Sequence, residues 1–148
     1  MKKIKQHLRF FLQFLTRHRV RKTDYDLDDY VKLYYFKLSQ ESENLGDYLS
    51  KIVVSHFMTK SKRKRRRKTL YAIGSIIGFR CQDAVVWGSG ILSDHPSCKK
   101  YISASTLDIR AVRGPKTRQI LLDCGKDCPE VYGDPAILMP LIYMPKDN

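Results

Sequence analysis

The chain has 148 residues, a length that suits one domain burying roughly 70% of its unfolded surface around a single core. Its 43% hydrophobic content excludes disorder throughout, and the lack of any run of about 18 apolar residues excludes a helix that spans a bilayer. The net charge of +13 does not mark the whole domain as a polyanion binder, because residues 1–22 hold 8 Lys/Arg and no acid, and the run KSKRKRRRK at 60–68 holds 8 more. The remainder carries 12 basic against 15 acidic residues, so the body is mildly acidic and the positive charge belongs to two appendages.

Residues 1–22 begin like a signal peptide, but Gln13 interrupts the apolar centre and no small-residue cleavage site follows. Ile4, Leu8, Phe11, Leu12 and Leu15 recur at helical spacing, Phe10 and Phe14 widen the stripe, and Lys/Arg fill the rest. The expectation is a basic amphipathic helix, distinct from a domain over 23–148. It either lies on an anionic membrane surface or packs on the domain or a partner subunit.

After the Asp-rich TDYDLDD, the stretch 30–38 is rich in Tyr, Val, Phe and Leu and predicts a strand. In the segment that follows, Asp47 is expected to cap a helix whose face carries Leu49, Ile52, Val53, His56 and Phe57. The basic run at 60–68 reads as an exposed, self-repelling loop. Beyond it, 69–77 and 83–90 are two near-continuous apolar runs that bear glycines, the pattern of strands buried on both faces. Another strand is expected over 107–114. Pro115 then opens a helix that Gly125 closes, and 129–134 supplies the last strand before a turn at Gly133-Asp134-Pro135.

Strands alternating with helices predict an α/β fold: a Rossmann-like, open, mostly parallel sheet with flanking helices. In such sheets the loops at the carboxyl ends of the strands form the binding crevice. The glycine-bearing motifs Asn44-Leu45-Gly46-Asp47, Gly74-Ser75, Gly88-Ser89-Gly90, Arg113-Gly114 and Gly133-Asp134 all fall at such ends.

A dinucleotide fingerprint at Gly88, Gly90 and Asp108 fits poorly, since Ser93 replaces the third glycine and Pro96 interrupts the expected helix. Among Arg110, Arg113 and Arg118, Arg113 directly precedes Gly114-Pro115 and suits a bidentate grip on carboxylate or phosphate. A structural pairing with Asp134 is the alternative. Asn44 and Asp47 read first as a helix cap and its neighbour; the alternative is a helix start that holds an anion on its N–H groups while the carboxylate accepts a sugar hydroxyl. His56 is expected at the core or its edge, and His95 in a loop. Cys81, Cys98, Cys124 and Cys128 form no CxxC pair and read as reduced thiols rather than metal ligands. Nucleic acid is disfavoured as a partner because Tyr71 is the only aromatic near the basic run.

Taken in order, NLGDYLS, LYAIGSII, DAVVWGSGIL, LDIRAVRGPKTRQILLDCG and VYGDPAILMP resemble the N-terminal half of the polysaccharide pyruvyl transferase family, over about residues 30–141. The resemblance implies one half of a two-domain, glycosyltransferase-like (GT-B type) architecture. It implies transfer of pyruvate from phosphoenolpyruvate to a pair of sugar hydroxyls, as a ketal, in cell-surface polysaccharide synthesis. The location would be cytoplasmic, with residues 1–22 holding the protein at the inner membrane face. No cofactor or metal is called for; phosphoenolpyruvate is the donor and a glycan the acceptor. The expected roles are Asp47 or Asp134 as the catalytic carboxylate that handles a hydroxyl, Arg113 as the anion clamp and Asn44 as a polar contact. Gly46, Gly88, Ser89, Gly90 and Gly133 would line the substrate crevice. The alternative is a truncated, non-catalytic sugar- or anion-binding module that needs a partner chain, either a C-terminal domain or a second copy.

Overall fold

The computed structural model describes residues 21–22, 31–34, 45–57, 59–60, 68–79 and 83–143. The expected amphipathic helix up to residue 20, Asn44, Cys81 and most of the basic run lie outside the described residues. Arg21 and Lys22, the last two residues of that expected helix, form a short strand instead.

The strands are β1 (Arg21–Lys22), β2 (Val31–Tyr34), β3 (Thr59–Lys60), β4 (Lys68–Tyr71), β5 (Asp83–Trp87) and β6 (Thr106–Ala111). The helices are α1 (Leu45–Phe57), α2 (Pro96–Ala104) and α3 (Pro115–Asp123), followed by a 3-10 helix over Pro135–Leu141. β1 and β3 form a small antiparallel pair. The main sheet has four strands in the order β2-β4-β5-β6, and every pairing in it is parallel, as expected for an α/β layer.

Period-two alternation sorts the strand residues into two cores. Leu70, Val85 and Trp87 face Val53 and Val54 of α1 and Leu138 of the 3-10 helix. Tyr71, Ala84, Val86 and Ile109 face Ile102 of α2 and Ile120 and Leu121 of α3. With both faces covered, the strands read as unbroken apolar runs. One irregularity breaks the alternation. Val86 pairs with Ile109 but Trp87 pairs with Ala111, so Arg110 is an extra residue in β6. This bulge turns Ala111 to the α1 face although Ile109, two residues earlier, faces α2.

Several expectations need correction. α1 begins at Leu45, so Asp47 is its third residue rather than its cap. The run 69–77 is not one strand: β4 ends at Tyr71, Gly74 turns the chain at φ 108°, and Ile76 and Ile77 return only as isolated bridges to Ile91. Pro96 does not interrupt a helix but starts one, because the first helical turn needs no N–H from it. The expected last strand over 129–134 shrinks to one parallel bridge, Tyr132 to Val112. Pro129 has no N–H to give a ladder, and Gly133 leaves extended geometry at φ 144°.

Candidate functional site

The carboxyl ends of β4, β5 and β6 deliver three turns to one place, and backbone hydrogen bonds lace them together. Gly90 N donates to Gly74 O (2.9 Å), Arg113 N to Ser89 O (3.0 Å), and Gly88 N to Ala111 O (2.8 Å). The fourth segment joins through Gly133 N, which donates to Val112 O (3.0 Å). The bridge at Tyr132 is therefore enough to bring Gly133-Asp134-Pro135 alongside Gly88.

Gly88 shows how tight that approach is. Its φ is +85°, and a Cβ built on it would lie 2.5 Å from Gly133 O and collide with the Pro135 ring. Only glycine fits there. Ser89 is fully buried, its hydroxyl donating to Gly74 O at 2.7 Å, so it braces the β4 turn from beneath. Ser50 of α1 does the same from the other side, donating to Ile73 O (3.2 Å) and accepting from Ile73 N (3.1 Å). Sequence reasoning assigned Ser50 no role. The available signal was a small hydroxyl among the apolar residues of the helix face.

On top of this frame sits Arg113. Its Nε lies 3.3 Å from Asp134 Oδ2, and its Nη1 donates to Ser75 Oγ at 2.6 Å. Asp134 also caps the 3-10 helix, its Oδ1 accepting from Ala136 N at 3.0 Å. The structural pairing and the anion clamp are thus compatible: Asp134 occupies one edge of the guanidinium of a side chain that is still 40% exposed. Arg110 and Arg118 are employed elsewhere, Arg110 on Asp108 and Arg118 Nε on Cys128 O at 3.1 Å. The ion pair also commits the carboxylate of Asp108 that a dinucleotide reading would have required.

Of the expected site residues, Gly88, Ser89, Gly90, Arg113, Gly133 and Asp134 therefore gather at the strand ends, joined by Ser75. Gly46 and Asp47 stand in the first turn of α1, and Ser50 one turn later is the residue that ties this helix to the β4 turn. α3 opens next to Arg113 with Gly114 as its N-cap, which supplies no side-chain hydrogen bond.

The remaining chemistry-bearing residues are placed apart. His95 caps α2, its Nδ1 accepting from Ser97 N at 3.3 Å, and half-buried His56 stacks edge-on against Phe57. Cys98, Cys124 and Cys128 are free thiols. Burial pushes the Cys98 thiol up, with Cys124 beside it adding to the effect. Burial also raises Cys128, against an opposing pull from Arg118. Among the described residues, no group of three or more His, Cys, Asp or Glu side chains is placed to hold a metal ion. No helix among them is long and apolar enough to cross a membrane.

Comparison with the curated proteins and with the solved structures found no match. Comparison with family models did: the model described as polysaccharide pyruvyl transferase matches residues 10–148, which include every strand-end turn described above. With nearly the whole length matched, this chain belongs to the polysaccharide pyruvyl transferase family.

Proposed function

We propose that the protein takes part in pyruvyl transfer from phosphoenolpyruvate to a sugar diol during polysaccharide synthesis, with Arg113 holding an anionic group of the donor. One sugar hydroxyl adds across the enol double bond, its oxygen going to the central carbon and a proton to the methylene carbon. The second hydroxyl then displaces phosphate, which leaves with the remaining proton, and a pyruvate ketal results. The reaction needs cationic donors for carboxylate and phosphate and a carboxylate to handle the hydroxyls. Arg113 is suited to the first task, and Asp47 and Asp134 are the candidates for the second. No metal or cofactor enters this scheme.

The observation that carries the reading is the part-exposed side chain of Arg113, held at converging strand-end turns in a member of this family. The architecture we propose around it has two facing Rossmann-like domains, with 23–148 as one of them and the partner domain lying across the crevice. Residues 1–22 hold the assembly at the inner face of the cell membrane, in the cytoplasm. A second reading, in which this chain is an anion- or sugar-binding half that needs a partner for chemistry, is favoured by Asp134. Both of its oxygens are already engaged, by Ala136 N and by Arg113.

Calorimetric titration of phosphoenolpyruvate at moderate and high salt tests the proposal. Saturable binding that survives salt is expected, weakened roughly tenfold to a hundredfold in Arg113→Ala, the usual loss for a hydrogen bond to a charged group. A variant neutralised at 60–68 serves as control, because that run attracts small anions in a screened, unspecific way. Binding that disappears with salt or with the basic run, and is indifferent to Arg113, overturns the assignment.

A further inference from the structure

Ser75 and Ser89 are both serines at strand-end turns, yet their hydroxyls are used differently. The Ser89 hydrogen is consumed by Gly74 O in a buried bond. Ser75 is part-exposed and its Oγ accepts from Arg113 Nη1. A hydroxyl that accepts still has one hydrogen to donate. Among the described residues no acceptor takes that hydrogen, and none takes the hydrogens of Arg113 Nη2.

Gly90 keeps the space beside these two groups clear: a Cβ there would stand 3.4 Å from Ser75 Oγ and 3.5 Å from Arg113 Cζ and Nε. Asp134, on the Nε edge, fixes the plane of the guanidinium. Two donors with no protein acceptor among the described residues are thus held side by side at the strand ends.

We propose that Ser75 is a second donor of the anion site. Its oxygen is oriented by Arg113, and its hydrogen goes to one oxygen of a carboxylate or phosphate while Arg113 Nη2 takes another. With Asp134 beside Nε and Ser75 Oγ on Nη1, part of the arginine's own two-nitrogen fork is already used, and the Ser75 hydroxyl supplies the second donor to an anion's oxygens. The proposal rests on the reading of Arg113 as the anion clamp. It adds that affinity depends on a neutral hydroxyl 38 residues away in sequence.

The test uses the full chain and follows the Arg113 Nε–H resonance in proton–nitrogen spectra, identified by its loss in Arg113→Lys. Inorganic phosphate, pyruvate and phosphoenolpyruvate are titrated separately. In the wild type, phosphate is expected to shift the resonance saturably. Ser75→Ala is expected to weaken that midpoint about tenfold with an unchanged thermal midpoint, and Ser75→Thr to restore it.

Four results overturn the proposal: Ser75→Ala titrating like wild type, Ser75→Thr being as weak as Ser75→Ala, no anion moving the resonance, or a weakened midpoint accompanied by a thermal midpoint several degrees lower. If phosphate behaves as expected but phosphoenolpyruvate binds no better than phosphate or pyruvate, Ser75 stands and the donor reading falls.

Discussion

Gly88 and Gly90 stand two residues apart in one turn, and the same substitution has different consequences at each. At Gly88 a methyl group meets Gly133 O and Pro135 in a left-handed backbone. Gly88→Ala is therefore expected to lower stability by at least about 2 kcal/mol, a fall of about 5 °C or more in Tm. At Gly90 the added carbon meets only ordinary contacts, so Gly90→Ala is expected to stay within about 0.5 kcal/mol of wild type. Thermal unfolding of the two variants side by side checks both. The sequence showed two glycines at a strand end, each a candidate crevice residue. It could not show which one lies under another segment, because the collision partners, Gly133 and Pro135, are more than forty residues away. Ser75 stood among the same converging strand ends, but nothing local marked its hydroxyl as the partner of Arg113, 38 residues away, whereas Asp134 was named because a carboxylate is the natural partner of a guanidinium.

At the scale of elements, Ser50 ties α1 to the β4 turn, its hydroxyl serving both the N–H and the C=O of Ile73. Ser50→Ala leaves both groups buried without that partner. It is expected to cost roughly 1–3 kcal/mol in urea unfolding while leaving the sheet intact. An unchanged midpoint would mean that the β4 turn is held by Ser89 and the sheet alone.

β4, β5, β6 and α3 were legible because burial on both faces and the Pro115/Gly125 bracketing are local signals. α2 was missed, since its Pro96 was read as a break although it sits at the one helical position that tolerates it. The bulge at Arg110 was also hidden, because it depends on register with β5 rather than on anything within β6. The strand expected over 129–134 failed for a related reason: its apolar residues have a single neighbouring residue to pair with, at Val112.

For the molecule as a whole, the charge pattern separates Arg113 of the fold from the appended basic runs. The fold has a site with one half-exposed arginine, and the sixteen charges of the appendages lie in 1–22 and 60–68. Removing 1–22 is expected to reduce sedimentation with anionic liposomes severalfold while leaving phosphoenolpyruvate titration at high salt unchanged. Equal liposome binding by both forms would remove the membrane role. The family was readable from ordered motifs, and the parallel α/β sheet from their spacing.

Asp134 joins two things usually separable in a protein: one oxygen starts the 3-10 helix, the other sets the tilt of Arg113. Anyone transplanting this arginine to another scaffold must carry Pro135–Leu141 with it, and Leu138, buried against α1, comes along as the anchor. The smallest portable version of this arginine turn is thus a piece of the core, and a substitution at position 134 disturbs two things at once, the start of the 3-10 helix and the arginine.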